Sequence, residues 1–221
     1  MATLIALLIL VAVAIFLIGR RPRPQIEADA GVRAEFGIPL TEEEVDLERQ
    51  YNEEIMQLLE TRICASGFFK AEKIPDLMAR LRGASVPFGR TNTGVAFDGN
   101  IILAVEEKKA LGLNPRMKYS KTFVEYFDPL AFKTIEPKAT LECMHLDAFH
   151  RVSRKKELLS LKKLGFVKQI KIVPVGDSRD CAKIKRFKKI HHLQESPELP
   201  LPGCDAPYCR CVYIAIIPKD V

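Results

Sequence analysis

The stretch PKATLECMHLDAFHRVSRKKELLSLKKL, residues 137–164, decides how this chain folds. Pro137 suits a first helical turn, where its missing N–H leaves no bond unmade. Leu141, Met144, Leu146, Ala148, Phe149, Val152, Leu158, Leu159, Leu161 and Leu164 supply apolar positions over the whole length, and Gly165 stops the helix. Its C-terminal half is basic, as the negative end of a helix dipole favours. Before this helix the chain is patterned for further helices; after it the period changes.

Upstream, Thr41-Glu42-Glu43-Glu44 reads as a capping box. It starts a helix carrying Val45, Leu47, Tyr51, Ile55, Leu58, Leu59 and Ile63, which ends near Gly67. Residues 75–82 form a second helix with Pro75 in its first turn and Leu77, Met78 and Leu81 facing inward. Residues 83–99 read as loop. A third helix is expected over 101–111, before Gly112 and the turn at Asn114-Pro115, and another over 119–127 with Phe123, Tyr126 and Phe127 as packing residues. Downstream, Val167–Val175 is β-branched and partly alternating and reads as a strand. Asp177-Ser178 caps a short helix to about Lys189, Pro197–Pro202 is an extended proline segment, and Val212–Ile217 is a second strand. The expected fold is mainly α, a helical domain over 41–165 with a small α+β cysteine-bearing tail over 166–221.

Residues 2–18 are an unbroken apolar run, followed at once by Arg20, Arg21 and Arg23. At about 1.5 Å per residue they make roughly 26 Å of helix, close to a bilayer core of about 30 Å. A secretory signal would carry its positive charge before the apolar stretch. The segment therefore reads as one transmembrane helix (1–19) with a juxtamembrane linker (20–40). The arginines put the N-terminus outside and the rest of this single-pass membrane protein in the cytoplasm.

Charge is strongly polarised. Residues 25–62 hold eleven acids against three arginines, and residues 151–192 hold fourteen lysines or arginines against three acids. One reading is a solvated face complementary to the acidic first helix. The other is a surface for an anionic partner, nucleic acid or lipid headgroups, using Lys155, Lys156, Lys162, Lys163, Lys185, Arg186, Lys188 and Lys189. Only Phe166 and Phe187 lie among these cations, so a base-stacking platform is not indicated.

Of six cysteines, Cys204, Cys209 and Cys211 fall within eight residues, and Cys181 begins the preceding short helix. In a reducing compartment clustered thiols bind metal or stay free. Cys181, Cys204, Cys209 and Cys211 make a ligand set for tetrahedral zinc, with His191 or His192 within reach. Two other readings stand beside it: packed free thiols, and a redox thiol, for which Cys181 at a helix N-terminus near Arg179 is the best candidate. Cys64 and Cys143 fall on apolar helix faces and are expected in the core.

The segment Asp177-Ser178-Arg179-Asp180-Cys181, then Leu199-Pro200-Leu201-Pro202-Gly203-Cys204, then Cys209-Arg210-Cys211 resembles the cysteine box of phage Mu F-type minor head proteins and related bacterial proteins. The resemblance covers residues 176–213 and implies a bacterial or phage-like tail with a four-cysteine metal site. Ile184 stands where the second cysteine of the leading pair is expected. A membrane anchor is foreign to a capsid component, so that role does not transfer.

No catalytic residues emerge. His145 and His150 are five apart and form no i, i+4 metal pair; His145 with Glu142 and Asp147 reads as a polar helix edge. The glycines match no phosphate-binding fingerprint, and Ser153, Ser160 and Ser178 lack a nucleophile elbow. The sequence thus points to a membrane-anchored structural or interaction protein with a zinc-stabilised tail. A membrane-tethered binder of nucleic acid or anionic lipid through 151–192 is the alternative, and a thiol redox protein is the third reading.

Overall fold

The computed structural model describes residues 41–84, 93–99, 101–176, 180–187 and 189–217. The apolar run 2–18, the linker 20–40, the capping pair Asp177-Ser178, Arg179 and Lys188 lie outside the described residues. Among the described residues no helix is long and apolar enough to cross a membrane.

The first helix, α1 (Glu42–Ser66), starts where the capping box places it. Thr41 N–H donates to Glu44 Oε2 at 2.7 Å and Glu44 N–H to Thr41 Oγ1 at 3.2 Å. It ends at Gly67, whose φ of 68° is open to glycine and costly for other residues. Helix α2 (Ile74–Gly83) follows, then α3 (Val105–Ala110) and α4 (Lys121–Val124). The long α5 (Pro137–Lys163) crosses α1 in the opposite sense, since Tyr51 meets Phe149 and Ser153 while Arg62 meets Asp147.

Two expected helices are shorter than their apolar pattern. Residues 101–103 are extended against 119–121, with Leu103 N–H on Tyr119 O and Lys121 N–H on Ile101 O, both at 2.9 Å. That pairing leaves only Val105–Ala110 helical on one side and Lys121–Val124 on the other. Phe127 is likewise taken up in a bridge to Phe69. Within the expected loop, Thr93–Phe97 forms a 3-10 turn that carries Phe97 onto Phe123.

The main core joins Tyr51, Ile55, Met56, Leu59 and Ile63 of α1 to Leu77, Met78 and Leu81 of α2. The aromatics Tyr119, Phe123, Tyr126, Phe127 and Phe132, and Leu141, Ala148 and Val152 of α5, complete it. Cys64 does not share this core: it is exposed, and Cys143 is only half-buried. Cys64 follows the inward Ile63 directly, so the turn of the helix carries it outward.

Beyond Val152 the buried face of α5 changes. Leu158 and Leu161 belong to a second core with Val167, Ile170, Ile172, Cys181, Ile184, Leu193, Leu199, Leu201, Cys209, Cys211 and Tyr213. At 100° per residue this second stripe lies roughly 130° around the axis from the first. One helix thus serves two cores, and the second begins inside it. The tail adds strands β1 (Gln169–Val173), β2 (Ile190–His192) and β3 (Val212–Ile216), antiparallel in the order β2-β1-β3. Strand β2 falls in a stretch assigned no regular structure by its sequence pattern. The short helix is α6 (Ala182–Arg186), ended by extended Phe187 as the chain turns into β2.

Candidate metal centre in the cysteine tail

Three separate segments bring the tail thiols together. Cys181 is the N-cap of α6, Cys204 follows the proline segment at the turn of Gly203, and Cys209 and Cys211 lead into β3. Cys181, Cys209 and Cys211 are buried and Cys204 is half-buried. The four lie near enough to act on one another's ionisation, Cys204 with Cys181 and Cys209, and Cys209 with Cys211. Other contacts hold this frame. Asp205 Oδ1 accepts the Ala182 N–H at 3.2 Å, so the start of α6 is capped from across the cluster. Buried Leu199 and Leu201 pin the proline segment, and Tyr213 donates its hydroxyl proton to Pro197 O at 2.8 Å.

The electrostatics single out Cys209. The Cys211 thiol that donates to it, followed by the backbone N–H of Cys211, the Cys204 thiol and the Arg154 guanidinium, holds it down to about 6 against the cost of burial. Cys211 is raised well above the usual thiol range by that same bond and by burial. Cys204 is pushed up to about 11, first by burial and then by its contact with Cys181. Among the described residues no three or more Cys, His, Asp or Glu side chains are already drawn up as a ligand group.

Arg154 is the residue that sequence reading missed. Its Nε donates to Cys211 O at 2.8 Å and its Nη1 to Glu157 at 2.8 Å, with the arginine side chain only 10% exposed. It ties α5 to the segment leading into β3, which carries two of the thiols. His150 stacks on Tyr208, their rings 5.6 Å apart and nearly parallel, beside the same segment. His191 and His192 lie in β2, His191 stacked on Phe187 at 5.2 Å. The expected polar edge of α5 is a buried one: His145 and Asp147 are inside, and the Asp147 carboxylate pairs with Arg62 at 2.6 Å and Arg151 at 2.8 Å. A lone acid on a helical face gives no sign of two arginines arriving from different directions.

The basic residues spread over several elements. Lys155 lines a groove between α1 and α5 with Glu54, Arg151 and Glu198, and Lys156 sits over the Tyr51 ring at 4.5 Å. Lys162 and Lys163 end α5, Lys185 and Arg186 end α6, and Lys189 precedes β2. Among the described residues none of these cations forms an ion pair, whereas Glu53 and Glu60 of α1 pair with Arg82. The acidic helix is therefore neutralised in part by α2.

No family model, curated protein or solved structure matches the chain.

Proposed function

We propose that this chain is a membrane-anchored structural and interaction protein whose tail is closed by a zinc ion on Cys181, Cys204, Cys209 and Cys211. The observation that carries the reading is that one small core brings in four thiols from three segments, Cys181, Cys209 and Cys211 buried in it and Cys204 packed against it. Four sulfurs about 2.3 Å from a zinc ion stand about 3.8 Å apart, so these thiols need only draw together within the core they already share. A four-thiolate zinc site carries two surplus negative charges, and buried Arg154 supplies a cation beside Cys209. Ile184, fully buried, fills the place of the missing paired cysteine as a core residue, and Cys204 supplies the fourth sulfur. The apolar run 2–18 holds this body at the cytoplasmic face.

Elemental analysis of the full chain purified without chelator should find one zinc per chain, and cobalt substitution should give the absorption of a tetrahedral thiolate site. Cys204→Ser and Cys211→Ser should each abolish it. Four titratable thiols in a metal-free, fully folded tail would overturn the reading. A reporter fused after Val221 should be cytoplasmic.

The second reading, an anionic partner for 151–192, is favoured by the cations of this segment that form no ion pair among the described residues. Replacing Lys185, Arg186, Lys188 and Lys189 by Gln should then weaken binding to anionic vesicles or polynucleotide at low salt, with no such binding by the parent chain as the contrary result.

A further inference from the structure

The tail sheet has one covered face and one face that is open except at its Val173–Val212 end, where Val212 is buried. Ile170 and Ile172 of β1 are fully buried on the side of the second core. The alternate residues of β1 point the other way. There Lys171 stands directly opposite Ile190 of β2 and Ile214 of β3, and Gln169 stands opposite His192 and Ile216. Ile190 is 44% exposed and Ile214 48%, so a lysine sits between two open isoleucines at the centre of a three-stranded sheet. The three strands contain no acidic residue. Lys168 and Lys189, both exposed, adjoin the ends of β1 and β2.

We infer that this outer face rests on the headgroup layer of an anionic bilayer. The inference rests on the anchoring of the chain through residues 2–18 and adds the surface that then meets the lipid. Isoleucines reach the boundary of the acyl region while the Lys171 stem lies along them and its ammonium meets a lipid phosphate. A protein partner covering the same face would have to place a carboxylate at the middle of an apolar contact or leave Lys171 buried without a partner. Nucleic acid would meet isoleucines where it needs stacking rings or more cations. A surface of this size binds lipid weakly alone. Tethering changes that: the 22 residues between the apolar run and Thr41 reach at most about 75 Å when extended, so the domain stays near the surface at high effective concentration.

The chain contains no tryptophan, which allows a background-free probe. Full-length Ile214→Trp is reconstituted into phosphatidylcholine vesicles with and without phosphatidylglycerol, with brominated acyl chains as quenchers and vesicle flotation as a control. In anionic vesicles the emission should shift to the blue and lose most of its intensity to the brominated lipid. In neutral vesicles it should stay red and unquenched, as should full-length Leu130→Trp, a 70% exposed site on the helical region, in both. Adding Lys171→Glu to Ile214→Trp should restore the emission. Ile190→Trp, on the neighbouring strand, should repeat the pattern and replaces Ile214→Trp if that variant loses its sheet signal. An Ile214→Trp chain that floats with the vesicles but keeps its indole emission unquenched overturns the inference and leaves the anchor standing. A chain that does not float overturns both. A blue shift that depends on protein concentration and not on bromine would show a second copy on this face, and equal quenching in neutral vesicles would remove the anionic partner; either result refutes the proposal.

Discussion

The two halves of this molecule are held together by different means. Among the described residues the helical half buries twenty in one core, seven of them aromatic, with long helices and a capped start. Among its described residues the tail core buries thirteen, of which three are cysteines, around strands of three to five residues. A core that small is marginal by itself, and small domains of this kind usually depend on disulfides or a metal. The helical half needs no such help. The lesson lies in α5, which supplies both cores: a change that loosens one half need not reach the other, unless it acts at the seam.

The strongest way to break the helical half is Leu59→Ala. Leu59 is fully buried, and such truncations cost about 2–5 kcal/mol. Urea unfolding followed by helix signal should shift by that amount, while the zinc proposed for the tail should bind as in the parent chain. Loss of zinc in this variant would show that the halves are one unit. Arg154→Met acts at the seam instead. It removes the donor to Cys211 O and strands Glu157, for about 3 kcal/mol, and hydrogen exchange should rise both in β3 and in the last turns of α5. Exchange that rises only in α5 would remove Arg154 from any role in holding the cysteines.

A smaller effect tests the helical half by pH. Tyr126 donates to Asp76 at 2.7 Å, and its hydroxyl is pushed up to about 12 by burial and by that bond. Its pKa is raised on folding, so the stability it contributes is complete below about 10 and is lost as pH rises from there toward the folded value. Asp76 is lowered, by the same bond first, so its contribution is present above the ordinary carboxylate pKa and is lost as acid protonates it. Tyr126→Phe should cost about 1 kcal/mol at neutral pH and flatten the fall in stability between about pH 10 and 12. An unchanged alkaline slope would contradict this assignment. The smallest change, Thr41→Ala, opens the capping box for about 1 kcal/mol or less, with faster exchange confined to the first turn of α1. Exchange spreading to the tail would again contradict independent halves.

Much of the helical half was legible in the sequence because its cues are local. Thr41 and Glu44 cap each other across one turn, and Gly67 ends the helix that the apolar spacing begins. Strands β1 and β3 announced themselves through β-branched alternation. What stayed hidden depends on partners distant in sequence. The 101–103 segment becomes extended only because 119–121 pairs with it. Strand β2 is three residues long, too short for a period to show. The change of buried face along α5 blurs its apolar stripe, so that Asp147 passed for a polar edge and Arg154 for one more surface cation. In the tail, the four cysteines were visible as a set, but the bond pattern that favours thiolate at Cys209 needs Cys204 and Cys211 placed around it.

Hydrogen exchange of the full chain before and after chelation tests the division between the halves most directly. With a thiol-specific zinc chelator present, residues 180–217 should lose most of their protection while α1 and α2 keep theirs, and zinc returned should restore it. Unchanged protection over 180–217 would contradict a tail closed by metal. Protection lost equally in α1 and α2 would contradict two halves held by different means.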